Sequence, residues 1–170
     1  MSIPSAAPET SAGSAAGRTS STAAGQFLSV AVLDQWLGLP VAEVRDVLRT
    51  ARLTTIPAAS AAIAGIMNLR GRVVTAIDLR RRLGLPPAAA DAPRFNVVVD
   101  HSGELYSLVV DRVGDVLTLN PGDIETTPDN IDPVWRSVTA GIHRMPSALL
   151  LALDVGRLLD LDDGRRARAF

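Results

Sequence analysis

The sequence predicts a mainly β fold made of two similar small barrels. A chain of 170 residues with 47% hydrophobic side chains can bury the core of one domain or of a pair of small ones. Its apolar runs are short and are separated at close spacing by turn residues, which is typical of barrels and not of alternating strands and helices. Four stretches also recur in the same order in both halves, which indicates an internal duplication.

The composition excludes several classes of protein. A net charge of -1 gives no overall field toward nucleic acid or anionic lipid, although all 17 basic residues are arginine. The absence of cysteine excludes disulfides, thiolate nucleophiles and cysteine metal sites. No apolar run approaches the ~18–20 residues of a membrane span, and the N-terminus lacks the pattern of a signal peptide.

The elements of the first half follow from its apolar runs and turn residues. Residues 1–25 are rich in small and polar side chains, so a disordered tail is expected. QFLSVAVL predicts a strand, DQW a hairpin turn, and LGLPVAEVRDVL a returning strand or strand pair. LTTIP is extended, AASAAIAG can hold one helical turn, and IMNLR and RVVTAIDL predict strands around a tight corner. Asp78 is expected to accept from the amides of Arg80 or Arg81, capping a short helix that ends at Gly84.

The second half repeats this plan after the linker LPPAAADAP. RFNVVV predicts a strand, DHSGE a hairpin loop and LYSLVVDRVGDVLTL a long return. After the turn clusters NPGD and TPDNIDP, we expect strands VTAGIHRM and ALLLALDV and a short helix GRLLDL. The expected subdomains are 26–87 and 88–161, with the C-terminal helix able to pack on the first, and 162–170 is expected to be frayed.

The two halves align at four places. Residues 39–48 match 108–117, 53–57 match 124–128, 64–66 match 140–142, and 76–83 match 152–159. The offset grows from 69 residues (39 to 108) to 76 residues (76 to 152), as loop insertions between matching strands would make it grow. We therefore infer two similar β subdomains.

Features that recur in both halves are expected to be scaffold. Asp78 and Asp154 both precede a short helix, so both are interpreted as helix caps. The corner Asn68-Leu69-Arg70-Gly71 does not recur, because RMPS stands at that place in the second half. A turn alone needs only a glycine or a proline. The arginine at position 70 therefore requires another explanation, such as contact with a partner.

No catalytic or metal constellation is recognisable in the sequence. His101 falls in a predicted hairpin loop, and His143 has no carboxylate or thiol at ligand spacing. No nucleophile elbow, phosphate-binding loop or dinucleotide fingerprint occurs. The acidic residues fall singly at strand ends and turns. We therefore expect no enzyme, no cofactor and no metal site.

An interaction module and a nucleic-acid-binding protein are the two remaining classes. The basic cluster of five arginines within residues 70–82 favours nucleic-acid binding, since small β barrels are known to bind nucleic acid. However, only 4% of residues are aromatic, which leaves few stacking platforms. Two small barrels side by side instead create grooves and short strand edges that suit protein partners.

The stretch IAGIMNLRGRVVTAIDLRRRLGL resembles the signature of the CheW family, the coupling proteins of bacterial chemotaxis. That signature runs V-x-G-hydrophobic-x-N-L-R-G, then a strand, then I-D-L-R. LGLPVAEVRDVLR, LTTIP and SLVVDRVGDVLTL are similar to three further family segments, so the resemblance covers about Phe27 to Leu161. The chain departs from the pattern at Leu37, Thr75 and Ser107, where the family usually has an aromatic residue, Pro and Gly.

The resemblance implies a fold and a role. The fold would be two five-stranded SH3-like barrels with short helices. The role would be that of a non-enzymatic scaffold in the cytoplasm, at the inner face of the membrane. Its partners would be the cytoplasmic tips of chemoreceptors, the regulatory domain of the histidine kinase CheA, and further copies of the coupling protein in array rings. It would neither bind nucleic acid nor insert into the membrane.

The resemblance also assigns site residues by position. Arg70 is the foremost receptor contact, because its planar guanidinium suits bidentate bonding to a carboxylate or to carbonyls. The other binding-surface positions are Val44, Asp46, Val73, Val113 and Val116. Gly65 and Gly71 match glycines that shape the corner. For the valines the alternative role is strand packing, since alternate strand residues face a core.

Overall fold

The computed structural model describes residues 25–49 and 52–161. The tails expected over 1–25 and 162–170 therefore lie outside the described residues, except that Gly25 belongs to the first strand. The strands are β1 Gly25–Val32, β2 Gln35–Pro40, β3 Val44–Leu48, β4 Ile63–Leu69, β5 Arg72–Asp78, β6 Phe95–His101, β7 Glu104–Val110, β8 Arg112–Leu119, β9 Thr139–Met145 and β10 Ala148–Leu153. The helices are α1 Leu79–Arg82, α2 Pro133–Val138 and α3 Val155–Leu159.

The strands form two five-stranded sheets, which confirms the mainly β class. The first sheet has the order β8-β1-β2-β10-β9, and the second has the order β3-β6-β7-β5-β4. Within each sheet one pair is parallel, β2 with β10 and β5 with β7, and the other pairs are antiparallel. Among the described residues, no helix is long and apolar enough to cross a membrane.

The sheets do not coincide with the halves of the sequence. Each sheet takes its central hairpin from one half and its other three strands from the other half: β1–β2 join β8–β10, and β6–β7 join β3–β5. A cut between residues 87 and 88 would therefore run through both sheets instead of separating them. The duplication fixes which strands are equivalent, but it does not reveal whether a hairpin pairs within its own half.

The duplication itself is visible in the strand register. Ala76 lies opposite Ser107, and Ala152 lies opposite Gly38, at matching points of the two parallel pairs. An isolated bridge joins Thr54 to Ile66, and its counterpart joins Glu125 to Ile142. Both bridges fall at segments that align in the sequence. The internal repeat is thus a repeat of pairing geometry as well as of residue types.

The bridges explain why a glycine recurs in AGI. A Cβ atom at Gly65 would lie 2.5 Å from the carbonyl oxygen of Thr54. A Cβ atom at Gly141 would lie 2.9 Å from the carbonyl oxygen of Glu125 and 2.5 Å from a methyl group of Ile124. Because a second backbone crosses at both places, only a residue without a side chain fits without movement.

The helices begin where aspartate caps were expected. Asp78 accepts hydrogen bonds from the amides of Arg80 and Arg81, and α1 is followed by Gly84 in a left-handed conformation. Asp154 accepts from the amide of Arg157 at the start of α3. Both caps also receive backbone support, since the Asp78 amide donates to Ala62 and the Asp154 amide to Val138.

Three local expectations are wrong. AASAAIAG forms turns and then enters β4 without a helical turn. The long return after the second hairpin is two strands, β7 and β8, which separate at Asp111 and belong to different sheets. Residues Pro133–Val138 form α2, where the sequence predicted only turns and a strand. Asp132 caps this helix and Pro133 starts it, a local signal that was present in the sequence.

Candidate interaction surface

The corner of interest is the two-residue turn between β4 and β5. Arg70 has φ 51° and Gly71 has φ 86°, the left-handed values of a type I′ hairpin turn. The side-chain oxygen of Asn68 accepts a 2.9 Å hydrogen bond from the Gly71 amide. Asn68 and Gly71 therefore build the turn. Arg70 adopts a backbone conformation that is costly for a residue with a Cβ atom.

The hairpin between β6 and β7 shows that the turn does not need an arginine. Ser102 and Gly103 have φ 55° and φ 84°, which matches the first turn closely. Asp100 accepts a 3.1 Å hydrogen bond from the Gly103 amide, as Asn68 does for Gly71. Since serine fills the same left-handed position, the identity of Arg70 is not explained by the turn.

The side chain of Arg70 points into solvent beside two other predicted site residues. It is 82% exposed, and its guanidinium lies 3.4 Å from the carboxylate of Asp46 on β3. Val73, which pairs with Asn68 next to the turn, is 69% exposed. We call Arg70, Asp46 and Val73 together the hairpin surface. It combines a cation, an anion and an exposed apolar side chain on neighbouring elements.

A groove of about 540 Å³ adjoins the hairpin surface. It runs between the end of β3, the extended segment that bridges β4, and the β4–β5 hairpin. Its lining residues are Leu48, Arg52, Thr54, Ile66, Met67, Asn68, Leu69 and Val73. The groove gives the hairpin surface an apolar floor that a partner side chain or helix could contact.

The structure does not bring the remaining predicted site residues to this surface. Val44 and Val113 occupy equivalent positions in the duplication, and both pack against the hydrophobic core. Val44 and Val113 therefore have the alternative role, which is packing within the strand. Val116 is 52% exposed, but it lies on β8 in the other sheet.

Sequence reasoning missed Val47, the counterpart of Val116. Val47 is 40% exposed on β3, beside Asp46. The offset of 69 residues that aligns the halves places Val47 opposite Val116 in the alignment, so the duplication contained the signal. Each sheet thus exposes a valine at the same point of an edge strand.

The arginines of α1 are engaged within the protein. Arg80 forms an ion pair with Asp111 at 2.8 Å and is largely buried. Arg81 donates to the carbonyl oxygen of Ala61 and lies near Asp78. The guanidinium of Arg82 donates to carbonyl oxygens of α3, at the C-terminal end of that helix. This part of the basic cluster is therefore committed to internal contacts.

A buried ion-pair network beside α1 was not foreseen. Arg94 donates to both carboxylate oxygens of Asp78, at 2.9 and 3.1 Å, and its Nε lies 3.6 Å from Asp111. Burial favours the neutral form of Asp78, but the hydrogen bonds and the charge of Arg94 outweigh it and hold the pKa of Asp78 below its ordinary value. The network joins the end of β5, the residue before β6 and the β7–β8 connection.

Neither histidine belongs to the hairpin surface. Nδ1 of His143 lies 3.0 Å from the carbonyl oxygen of Asp123, at a distance suited to a donated hydrogen bond. His101 ends β6 and lies against Gly156. In the described ranges, no three His, Asp or Glu side chains are grouped closely enough to hold a metal ion.

Comparisons with known proteins agree with one another. The model of the CheW-like domain family matches residues 26–163. The chain is 26% identical to chemotaxis protein CheW of Rhizobium meliloti over 84% of this chain and 92% of that one. It is 28% identical to chemotaxis protein CheW of Bacillus subtilis over 76% and 83%. The fold resembles the crystal structure of scaffolding protein TtCheW from Thermoanaerobacter tengcongensis, with a TM-score of 0.73 and 23% identity over 81% of this chain and 93% of that one.

Proposed function

The chain belongs to the family of CheW-like domains, and from this premise we propose that it is a chemotaxis coupling scaffold. It joins the cytoplasmic tips of chemoreceptors to the regulatory domain of the histidine kinase CheA and transmits receptor control to that kinase. It works by binding and not by chemistry of its own. Its place is in the cytoplasm, where the receptors recruit it to arrays at the inner face of the membrane.

The single observation that carries the proposal is the family match over 26–163, which spans both sheets. The architecture supports it, because two equivalent sheets with exposed edge strands can contact two partners at once. Val47 and Val116 mark equivalent edges, so further copies of the chain or the kinase regulatory domain could pack against either sheet.

The nucleic-acid alternative has little support in the structure. Phosphate binding requires guanidinium groups that can leave their present partners. Arg80, Arg81 and Arg82 instead bond to a carboxylate and to backbone carbonyls of the protein itself. We therefore expect no measurable binding of generic DNA at physiological salt, and an affinity that falls steeply with rising salt would support the alternative.

We assign the receptor contact to the hairpin surface. Arg70 is exposed, its turn does not need an arginine, and its contact with Asp46 is a long one of 3.4 Å. A receptor carboxylate could accept two hydrogen bonds from one edge of the guanidinium, while Val73 packs against apolar receptor surface. Asp46 keeps the guanidinium oriented before the receptor arrives.

The test is a binding titration with a receptor cytoplasmic fragment and, separately, with the kinase regulatory domain. The Arg70→Ala variant should bind the receptor fragment at least about fivefold more weakly than wild type, the loss typical of a contact arginine. Its affinity for the kinase domain should not change. Ser102→Ala is the matched control, because it alters the same position of an equivalent turn outside the hairpin surface.

The outcomes separate the function from the site. If wild type binds neither partner, the coupling function is refuted. If wild type binds both but Arg70→Ala binds the receptor fragment equally well, only the assignment of the hairpin surface fails. Equal losses in Arg70→Ala and Ser102→Ala would indicate a general effect of turn substitution and would also refute that assignment.

A further inference from the structure

The duplication places Asp78 and Asp154 at equivalent points, but their surroundings differ. At Asp78 the guanidinium of Arg94 lies between two carboxylates, bidentate to Asp78 and 3.6 Å from Asp111. The register of the two central hairpins puts Gly25 at the position equivalent to Arg94. No side chain from that position can reach Asp154.

A cavity of about 370 Å³ lies beside Asp154. Its walls come from β1, β2, β10, the start of α3 and the segment that bridges β9. Phe27, Pro40, Ile124 and Ala152 supply apolar surface, while Glu43 and Asp154 bring carboxylates to it. A guanidinium thus lies beside Asp78, whereas a cavity that also carries the carboxylate of Glu43 lies beside Asp154. Glu43 is not the sequence counterpart of Asp111, because the offset of 69 residues aligns Asp111 with Ala42.

One oxygen of the partly buried Glu43 carboxylate lacks a hydrogen-bond partner. This atom, Oε2, is buried, and no donor among the described residues reaches it. Burial raises the pKa of Glu43 above its ordinary value, and the nearby carboxylate of Asp154 adds to the effect, while His101 and Arg45 oppose it. The carboxylate of Asp154 accepts the capping hydrogen bond from the Arg157 amide and lies 3.6 Å from the exposed guanidinium of Arg157. A buried carboxylate oxygen such as Oε2 of Glu43 is normally hydrogen-bonded.

We propose that this cavity binds an arginine side chain of a partner protein, held between Glu43 and Asp154 as Arg94 is held between Asp78 and Asp111. The planar fork of a guanidinium can bond to both carboxylates, and the apolar walls would cover its aliphatic stem. The acidic lining excludes anionic ligands. The proposal is independent of the hairpin surface, which lies on the other sheet.

A peptide titration followed by NMR tests the proposal on the full chain. The probe is acetyl-Gly-Arg-Gly-amide, with acetyl-Gly-Lys-Gly-amide for comparison. The arginine peptide should produce saturable shifts at Gly156, His101 and Phe27, and should bind at least threefold more tightly than the lysine peptide, which cannot form the fork. Glu43→Gln should weaken arginine-peptide binding at least fivefold. Glu104→Gln removes one charge from the exposed end of β7 and serves as the matched control.

Three results would overturn the proposal. One is the absence of saturable shifts in both wild type and a chain in which Arg165, Arg166 and Arg168 are changed to Gln. Another is equal binding by wild type and Glu43→Gln. The third is binding only after those three arginines are replaced, which would make the chain's own C-terminal segment the occupant instead of a partner protein.

Discussion

Asp78 and Asp154 show how two copies of one scaffold diverge. Both cap a short helix at the end of the last strand of their half: Asp78 is the final residue of β5, and Asp154 follows β10. The Asp78 side chain is 5% exposed and is bonded by the guanidinium of Arg94, whereas the Asp154 side chain is 39% exposed and lies 3.6 Å from the guanidinium of Arg157. The shared cap preserves the fold at both places. The difference lies in the side chains around the cap. At Asp78 they form a buried ion pair that stabilises the fold, and at Asp154 they line an open cavity.

The largest expected effect comes from removing the guanidinium at Asp78. Arg94→Ala leaves Asp78 buried without its bidentate partner, so the free energy of unfolding should fall by about 3 kcal/mol. Arg157→Ala at the equivalent cap should cost less than about 0.5 kcal/mol, because that pair is exposed. Urea unfolding of both variants measures the difference. Similar losses in the two variants would show that the caps do not differ in energy.

A smaller loss is expected where the two halves are alike. Gly65→Ala and Gly141→Ala should each cost more than about 1 kcal/mol, because each added methyl group meets a crossing backbone. Gly65→Ala should cost more, since Gly65 also has φ +153°, whereas the methyl group of Ile124 can move away from position 141. Thermal unfolding would test this. Gly122→Ala is the control, because its Cβ would meet open space.

The pH dependence of stability should differ in sign between the two sites. The folded pKa of Asp78 is lowered, so its contribution is present above the unfolded pKa of about 3.9 and is lost as the pH falls through the folded value. The folded pKa of Glu43 is raised, so its contribution is present at low pH and is lost as the pH rises through the folded value.

Two variants isolate these opposite contributions. Arg94→Ala should flatten the loss of stability below about pH 4, because the Asp78 shift depends on Arg94. Glu43→Gln should be more stable than wild type at pH 7, by less than about 1 kcal/mol, and should lose that advantage in acid. Urea midpoints at pH 7, 5, 4 and 3 would show this. A Glu43→Gln advantage that grows toward low pH would contradict the assigned sign.

The smallest effect on stability concerns the two equivalent turns. Arg70→Gly and Ser102→Gly should each change stability by less than about 1 kcal/mol, and in the stabilising direction, because glycine adopts the left-handed conformation without strain. Only Arg70→Gly should weaken receptor binding. A destabilised Arg70→Gly variant would mean that the contact with Asp46 supports the fold and not a binding surface.

Local signals predicted much of the fold and part of the site. The Asp78 cap, the two-residue hairpins and the recurring glycines depend on neighbours in sequence, so their patterns could be recognised. Arg94 could not be recognised as the partner of Asp78, because a linker whose path no local pattern predicts separates them and a third group, Asp111, completes the network. The exposure of Val116 and the burial of Val113 likewise depend on which face of β8 meets the core.

The sequence by itself determined the mainly β class, the internal duplication, the single-copy corner at Arg70 and the family. Only the tertiary structure decided that the halves exchange hairpins, that the arginines of α1 are bonded internally, and that a cavity stands where the duplication would place a guanidinium. The physical reason is the range of the interactions. Turns, caps and strand periodicity act over a few residues, whereas sheet pairing and ion pairs join residues that are distant in the chain.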